Sequence, residues 1–220
     1  MVAPARLLVV IRLLDQQYGR PGWVPRFQPV EELVYTILSQ NTSDINAERS
    51  LASLKRIYPD WERVARAPAS GIAAAVRSGG LAGAKARYIR ETLSGLLAEH
   101  GSLKMDFLGR MSDSEAIEYL TKFPGVGVKT ASCVLLFSLG RPVMPVDTHV
   151  YRVCKRLDFL PQDASRENAH RVLNAMVPPG ETYSLHVNLI RLGRQVCVAG
   201  RPRCDRCVIE RLCPSSRLCD

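Results

Sequence analysis

Long apolar runs are missing from this chain. No stretch of about 18 apolar residues occurs, so a membrane-spanning helix is not expected. Two-residue apolar alternation, the mark of a half-buried strand, is scarce, which argues against a sheet. Repeats and low-complexity stretches are absent as well. A secretory signal is not expected either. The apolar run in MVAPARLLVVIRLLDQQYG is short, and Arg12 and Asp15 break it at helical spacing, as in an amphipathic helix. The seven cysteines are an odd number, and without a signal they do not read as a secreted disulfide framework. Unpaired thiols fit a reducing cytoplasm. Acidic residues run short: 21 Asp and Glu against 30 Lys and Arg leave a formal charge of +9. That balance implies a polyanionic partner, most often nucleic acid, against the plainer alternative of a basic soluble protein with none.

What remains is helical in period. At 220 residues the chain has room for one large domain or two modest ones. Val30, Leu33, Val34, Ile37 and Leu38 recur at steps of three and four. So do Ile45, Ala52 and Leu54, and then Ile89, Leu93, Leu96 and Leu97. Ser112 and Glu115 stand at capping-box spacing before Ile117 and Leu120. Pro and Gly punctuate the joins, and the main break is expected at GRPVMP, residues 140 to 145. The expectation is an all-α protein of many short helices.

Four cysteines crowd the last quarter. Cys197, Cys204, Cys207 and Cys213 have the spacing C-x6-C-x2-C-x5-C. Four thiols that close suit one metal centre, and thiolates favour zinc or an iron–sulfur cluster over hard cations. Spacing leaves both open. The loops between them are too short to hold a core, so a metal is expected to order them. The same stretch is basic: Arg191, Arg194, Arg201, Arg203, Arg206, Arg211 and Arg217 face only Asp205 and Glu210. Cys133 and Cys154 fall on apolar helical faces and read as plain thiols, as does Cys219 in the tail.

The central motif is FPGVGVKTASCVLLFSLG, residues 123 to 140. One helix is expected to end near Phe123, Gly125 and Gly127 to form a tight hairpin with Val126 between them, and a second helix to start near Val128. Glycines let backbone N–H groups approach an anion, and the new helix N-terminus adds a favourable dipole. A DNA phosphate is the natural ligand. A nucleotide P-loop would need Gly directly before Lys-Thr, where this chain has Val128. Lys129 falls in the first turn, where the dipole disfavours a cation. It reads either as a surface lysine or as an amine nucleophile able to form a Schiff base with a sugar C1′. In PVDTHVYRVCKRL, Val150, Val153, Cys154 and Leu157 form an apolar face, which makes Asp147 an N-cap. A capped carboxylate is fixed and ionised, so a cap and a chemical role are compatible. His149 and His186 read as local structural contacts, and Asp44 as the cap of its helix.

PGVGVKTA, VDTHVYRV and the C-terminal cysteine array together resemble endonuclease III, the helix-hairpin-helix DNA glycosylase and AP lyase family, from about Val30 to Pro214. The resemblance implies a helix-hairpin-helix DNA glycosylase fold: a six-helix barrel domain over residues 28–141, and a helical domain joining residues 1–27 to 142–220 and carrying a [4Fe–4S] cluster. A DNA cleft is expected between them. It implies Lys129 and Asp147 as the catalytic pair and the four cysteines as cluster ligands. In LSQNTSD, Asn41 falls where the family has a glutamine that fills the hole left by a flipped base; Asn is one methylene shorter. In SGGLAGAKARY, Leu81 matches an intercalating leucine, followed by Ala82 and Gly83 where the family has bulkier residues. Gly125, Val126, Gly127, Arg201 and Arg203 are the implied DNA-backbone contacts.

The expected function is therefore base excision repair: removal of oxidised or reduced pyrimidines from damaged double-stranded DNA, then strand cleavage. The expected protein is a cytoplasmic, nucleoid-associated monomer with no membrane partner. Alternatives are a thymine/uracil mismatch glycosylase of the same fold, against which Lys129 speaks, and a non-catalytic DNA-binding protein.

Overall fold

The computed structural model describes residues 4–216; Arg217 and Cys219 lie outside them. Among the described residues there are eleven α-helices and no strand. They are α1 (Pro4–Tyr18), α2 (Pro29–Leu38), α3 (Asp44–Ile57), α4 (Trp61–Arg66), α5 (Ala69–Ala75), α6 (Ala82–His100), α7 (Asp113–Thr121), α8 (Val128–Leu139), α9 (Thr148–Arg156), α10 (Arg166–Met176) and α11 (Thr182–Gln195). Among the described residues no helix is long and apolar enough to cross a membrane. The chain divides into two compact units. One is Pro25–Leu139; the other joins the chain up to Val24 to the chain from Gly140 onward.

In the Pro25–Leu139 unit α2 packs on α8, α6 packs on α4 and α5, and α7 packs on α8. Helix α2 is buried on nearly every side: Leu33 and Ile37 have no exposed surface, and Glu32 is fully buried with them. A buried carboxylate needs a partner. Arg26 supplies it, with Nε donating to Glu32 Oε2 at 2.9 Å while its guanidinium lies over the Phe137 ring at 4.2 Å. Thr36 Oγ1 donates to the same carboxylate at 3.0 Å. Helix α7 opens on the expected capping box, Ser112 with Glu115, which satisfies two N-terminal donors.

Helix α3 departs from the expected face. Ile45 is 60% exposed and Ala52 is exposed; the buried face is Ala47, Ser50, Leu51 and Leu54. Small residues carry half of that face, and apolar spacing does not pick them out. Its cap is Ser43, whose Oγ accepts from Asn46 N–H at 3.3 Å; Asp44 stands one residue on, in the first turn.

In the other unit, Leu7, Val10, Ile11 and Leu14 of α1 join Val150 and Val153 of α9, Leu157 just after it, and Leu185, Leu189 and Leu192 of α11 in one core. The polar break at Asp15 has a use there. Its carboxylate accepts from Ser184 Oγ and, at 2.9 Å, from Asn188 Nδ2, joining α1 to α11.

Candidate active site and cysteine loop

The α7–α8 hairpin is built on one special glycine. Gly125 has φ +77, and a Cβ there would meet the Tyr88 ring of α6 at 2.4 Å. Both facts demand glycine, for conformation and for space. Val126, between the glycines, is buried, and its N–H bonds to the Phe123 carbonyl at 3.1 Å. Its chain neighbours aside, no described atom lies within 4 Å of where a Gly127 Cβ would stand, so the space beside this last residue before α8 is open. Lys129 comes next but one, in the first turn of α8, half-buried. One turn further, Cys133 is fully buried, and burial raises its thiol pKa.

Two turns of the same unit carry two more of the expected DNA contacts. Asn41 is exposed with φ +53, and Leu81 is 60% exposed with φ +50. Left-handed backbone at a leucine is strained, by about 1–3 kcal/mol, and such strain gathers at functional sites. Beside Asn41, Gln40 is already committed: its Nε2 donates to the Gly125 carbonyl at 2.8 Å. It therefore ties the Asn41 turn to the hairpin.

In the second unit Asp147 caps α9, its Oδ1 accepting from His149 N–H at 2.9 Å and Val150 N–H at 2.7 Å. His149 Nδ1 stands 3.1 Å from Arg152, a local contact. Helix α9 also holds the cysteine loop. Arg152 Nε donates to the Cys197 carbonyl at 2.9 Å. Arg156 reaches the Val198 carbonyl at 2.8 Å, the Ala199 carbonyl at 3.0 Å and Cys197 Sγ at 3.2 Å. Neither arginine stands out in the sequence, because the carbonyls they reach lie more than 40 residues away.

The loop is not wholly without a core, contrary to expectation. Ile209 is 2% exposed and inserts among the buried residues of its unit, with Val208 and Leu212 packed beside it. One branched side chain per short loop suffices as an anchor. Cys197, Cys204, Cys207 and Cys213 are half-buried free thiols. The Cys207 thiol is pushed up to about 11, first by burial and then by Cys197, Cys213 and Cys204, against a hydrogen bond from Ile209 N–H. Four soft donors that feel one another, with backbone turns between them, suit a thiolate-ligated centre. Among the described residues no three His, Cys, Asp or Glu side chains are set to hold a single metal ion. Arg201 and Arg203 are exposed; Arg203 also donates to the Gln195 carbonyl at 3.1 Å.

Thus Gly125, Val126, Gly127 and Lys129 fall together, with Asn41 tied in through Gln40 and Leu81 in the same unit. Asp147, the four cysteines, Arg201 and Arg203 belong to the other unit.

Two helices joined by a tight glycine turn define a helix-hairpin-helix protein. The chain belongs to the HhH-GPD superfamily of base excision DNA repair proteins, whose family model matches residues 34–179. It is 35% identical over 217 residues to endonuclease III of Escherichia coli K12, covering 95% of each chain. It is 39% identical over 165 residues to an Arabidopsis thaliana protein named as a candidate DNA glycosylase, covering 75% of this chain and 56% of that one. A solved endonuclease III structure, a trapped covalent intermediate with DNA, superposes with a TM-score of 0.83 at 27% identity, covering 99% of each chain.

Proposed function

We propose that this protein is a bifunctional DNA glycosylase and AP lyase that removes oxidised or reduced pyrimidines from duplex DNA. The observation that carries the reading is Lys129: an amine in the first helical turn directly after the Gly125–Gly127 hairpin. The likeness to endonuclease III over 95% of the chain, and to a relative trapped covalently on DNA, supports it.

In this reading the exposed turn at Gly127 and the N-terminus of α8 grip a phosphate, with Arg201 and Arg203 adding charge. Asn41 and Leu81 enter the stack as the damaged nucleotide swings out. A damaged base unstacks more readily than a sound one, which supplies part of the selectivity. Lys129 Nζ, as neutral amine, bonds to C1′ while the N-glycosidic bond breaks and the base leaves with the bonding pair and a proton. Asp147, held in place by its two capping N–H donors, stabilises the positive charge that develops on the sugar and assists proton transfer. Opening of the sugar ring leaves a Schiff base. Loss of a C2′ proton then expels the 3′ phosphate and cuts the strand.

Cys197, Cys204, Cys207 and Cys213 would hold a [4Fe–4S] cluster. It supplies the cross-link that orders a basic loop for docking on DNA. The donor chemistry supports this: four grouped free thiols and a loop tethered at Cys197 by Arg152 and Arg156.

The direct test is a panel of duplexes, each with one damaged pyrimidine, scored for strand breaks with and without alkali. Breaks without alkali on oxidised or reduced pyrimidines are expected. Breaks only after alkali would mean base release without lyase chemistry, and activity confined to mismatched thymine or uracil would select the mismatch reading.

A further inference from the structure

Lys85, in the first turn of α6, is 1% exposed and is among the largest fully buried side chains of the molecule. Its ammonium donates to the carbonyl of Leu38 at 2.7 Å and to the carbonyl of Gly79 at 2.8 Å. Neither acceptor is a carboxylate. A lysine is buried rarely, and burial lowers its pKa. Something must compensate, and the two carbonyls say what.

Leu38 is the last residue of α2, and Gly79 is the last residue of the 3-10 turn Arg77–Gly79. Both carbonyls therefore stand at helix C-termini, where backbone acceptors lack intrahelical partners and the dipole is negative. One ammonium satisfies two such ends at once. The surroundings are shaped for it. A Cβ at Gly79 would meet Ser50 Oγ at 2.7 Å and the Lys85 Nζ at 3.7 Å, so glycine is needed there for close approach. Ser50 Oγ in turn contacts Ser78 Oγ at 3.0 Å.

The residues just beyond each carbonyl give the clamp its importance. Three residues after Leu38 stands Asn41, and two residues after Gly79 stands Leu81, both exposed and both in left-handed backbone. Leu81 takes the N-cap position of α6 without a side-chain cap, so its own side chain does not hold the turn. The same helix carries Tyr88, which packs against Gly125 of the hairpin. Helix α6 thus touches the root of every segment that the proposed function brings to DNA from this unit.

We propose that Lys85 is a positioning residue for strand invasion: by clamping the Leu38 and Gly79 carbonyls it sets the spacing of the turns that carry Asn41 and Leu81. The proposal rests on the reading of those two side chains as the groups that enter the base stack. Lys85 does not touch DNA. It acts through two backbone carbonyls, and no neutral apolar side chain of its length offers both donors.

The test uses the full-length protein with Lys85→Met, which keeps length without donors, and Lys85→Gln, which keeps a donor without charge. Hydrogen exchange reads the turns themselves. Stack opening is read by 2-aminopurine placed beside a tetrahydrofuran abasic analogue in a duplex. Lys85→Met should speed exchange at residues 39–41 and 79–81 together and weaken the fluorescence rise. It should lower the single-turnover base-release rate on damaged duplex by about tenfold or more, while affinity for undamaged duplex stays within about twofold. Lys85→Gln should recover part of each loss. Wild-type exchange at both turns, or a uniform loss of affinity with the base-release rate preserved, overturns the proposal. So does loss of helical circular dichroism in both variants, because the clamp is then a folding requirement. Asn41→Ala and Leu81→Ala complete the set. If neither changes the fluorescence rise, the invasion reading itself fails, and the exchange data still report separately whether Lys85 fixes the turns.

Discussion

Asp147 illustrates how one side chain serves structure and chemistry at once. Its Oδ1 takes two backbone N–H groups of α9, and those same bonds hold the carboxylate still. Asparagine caps helices as well as aspartate, whereas alanine does not. Asp147→Asn is therefore expected to keep denaturant stability within a few tenths of a kcal/mol while slowing base release. Asp147→Ala should cost about 1 kcal/mol as well. Equal stability in the two variants would remove the cap from the account. Gly125 makes a sharper case. An alanine there suffers both the left-handed backbone and the Tyr88 ring. Gly125→Ala should destabilise the protein by about 2 kcal/mol, and Gly125→Ala with Tyr88→Ala should recover part of that, read as unfolding midpoints. Asp147 was legible in the sequence because a cap is a local signal: a short polar residue before an apolar period. Lys85 was not. Its burial depends on carbonyls 47 and 6 residues away, and nothing in AGAKARY distinguishes it from a solvated lysine.

At the scale of elements, α9 and the cysteine loop behave as one piece. Arg152 and Arg156 reach from the helix to Cys197, Val198 and Ala199, and Ile209 plugs the loop into the core. Two kinds of fastening therefore hold this loop besides the proposed metal centre. Cys204→Ser is expected to lose the brown colour of an iron–sulfur centre and to loosen the loop, with α9 retained. Hydrogen exchange should rise over residues 197–213 and stay low over Thr148–Arg156. A colourless protein with stoichiometric zinc and full activity would remove the cluster. Capping box, hairpin and cysteine spacing were all readable here, because each lies within one short segment. The arginine tethers span more than 40 residues and carry no periodic mark, so they appear only once the helices pack. The buried face of α3 was misread for a different reason: Ser50 and Ala47 are buried where Ile45 is exposed, and apolar counting favours the larger residue.

For the whole molecule, a formal charge of +9 sets the character of binding. Each phosphate contact releases counterions, so affinity for undamaged duplex should fall steeply with salt. Charge reversal at Arg201 should shallow the slope of log affinity against log salt by about one and leave the preferred lesion unchanged. The all-α architecture was legible throughout, since a 3.6-residue period recurs in nearly every segment and proline and glycine mark the joins.

Covalent trapping on lesion-containing duplex tests the central claim most directly. Borohydride reduces a Schiff base to a stable amine, so wild-type protein should become fixed to the DNA, and peptide mapping should place the linkage at Lys129. Lys129→Gln should bind the same duplex, through the hairpin backbone and basic surface, yet neither trap nor nick. A Lys129→Gln protein that traps and nicks at the wild-type rate would contradict the account and assign the chemistry to another amine.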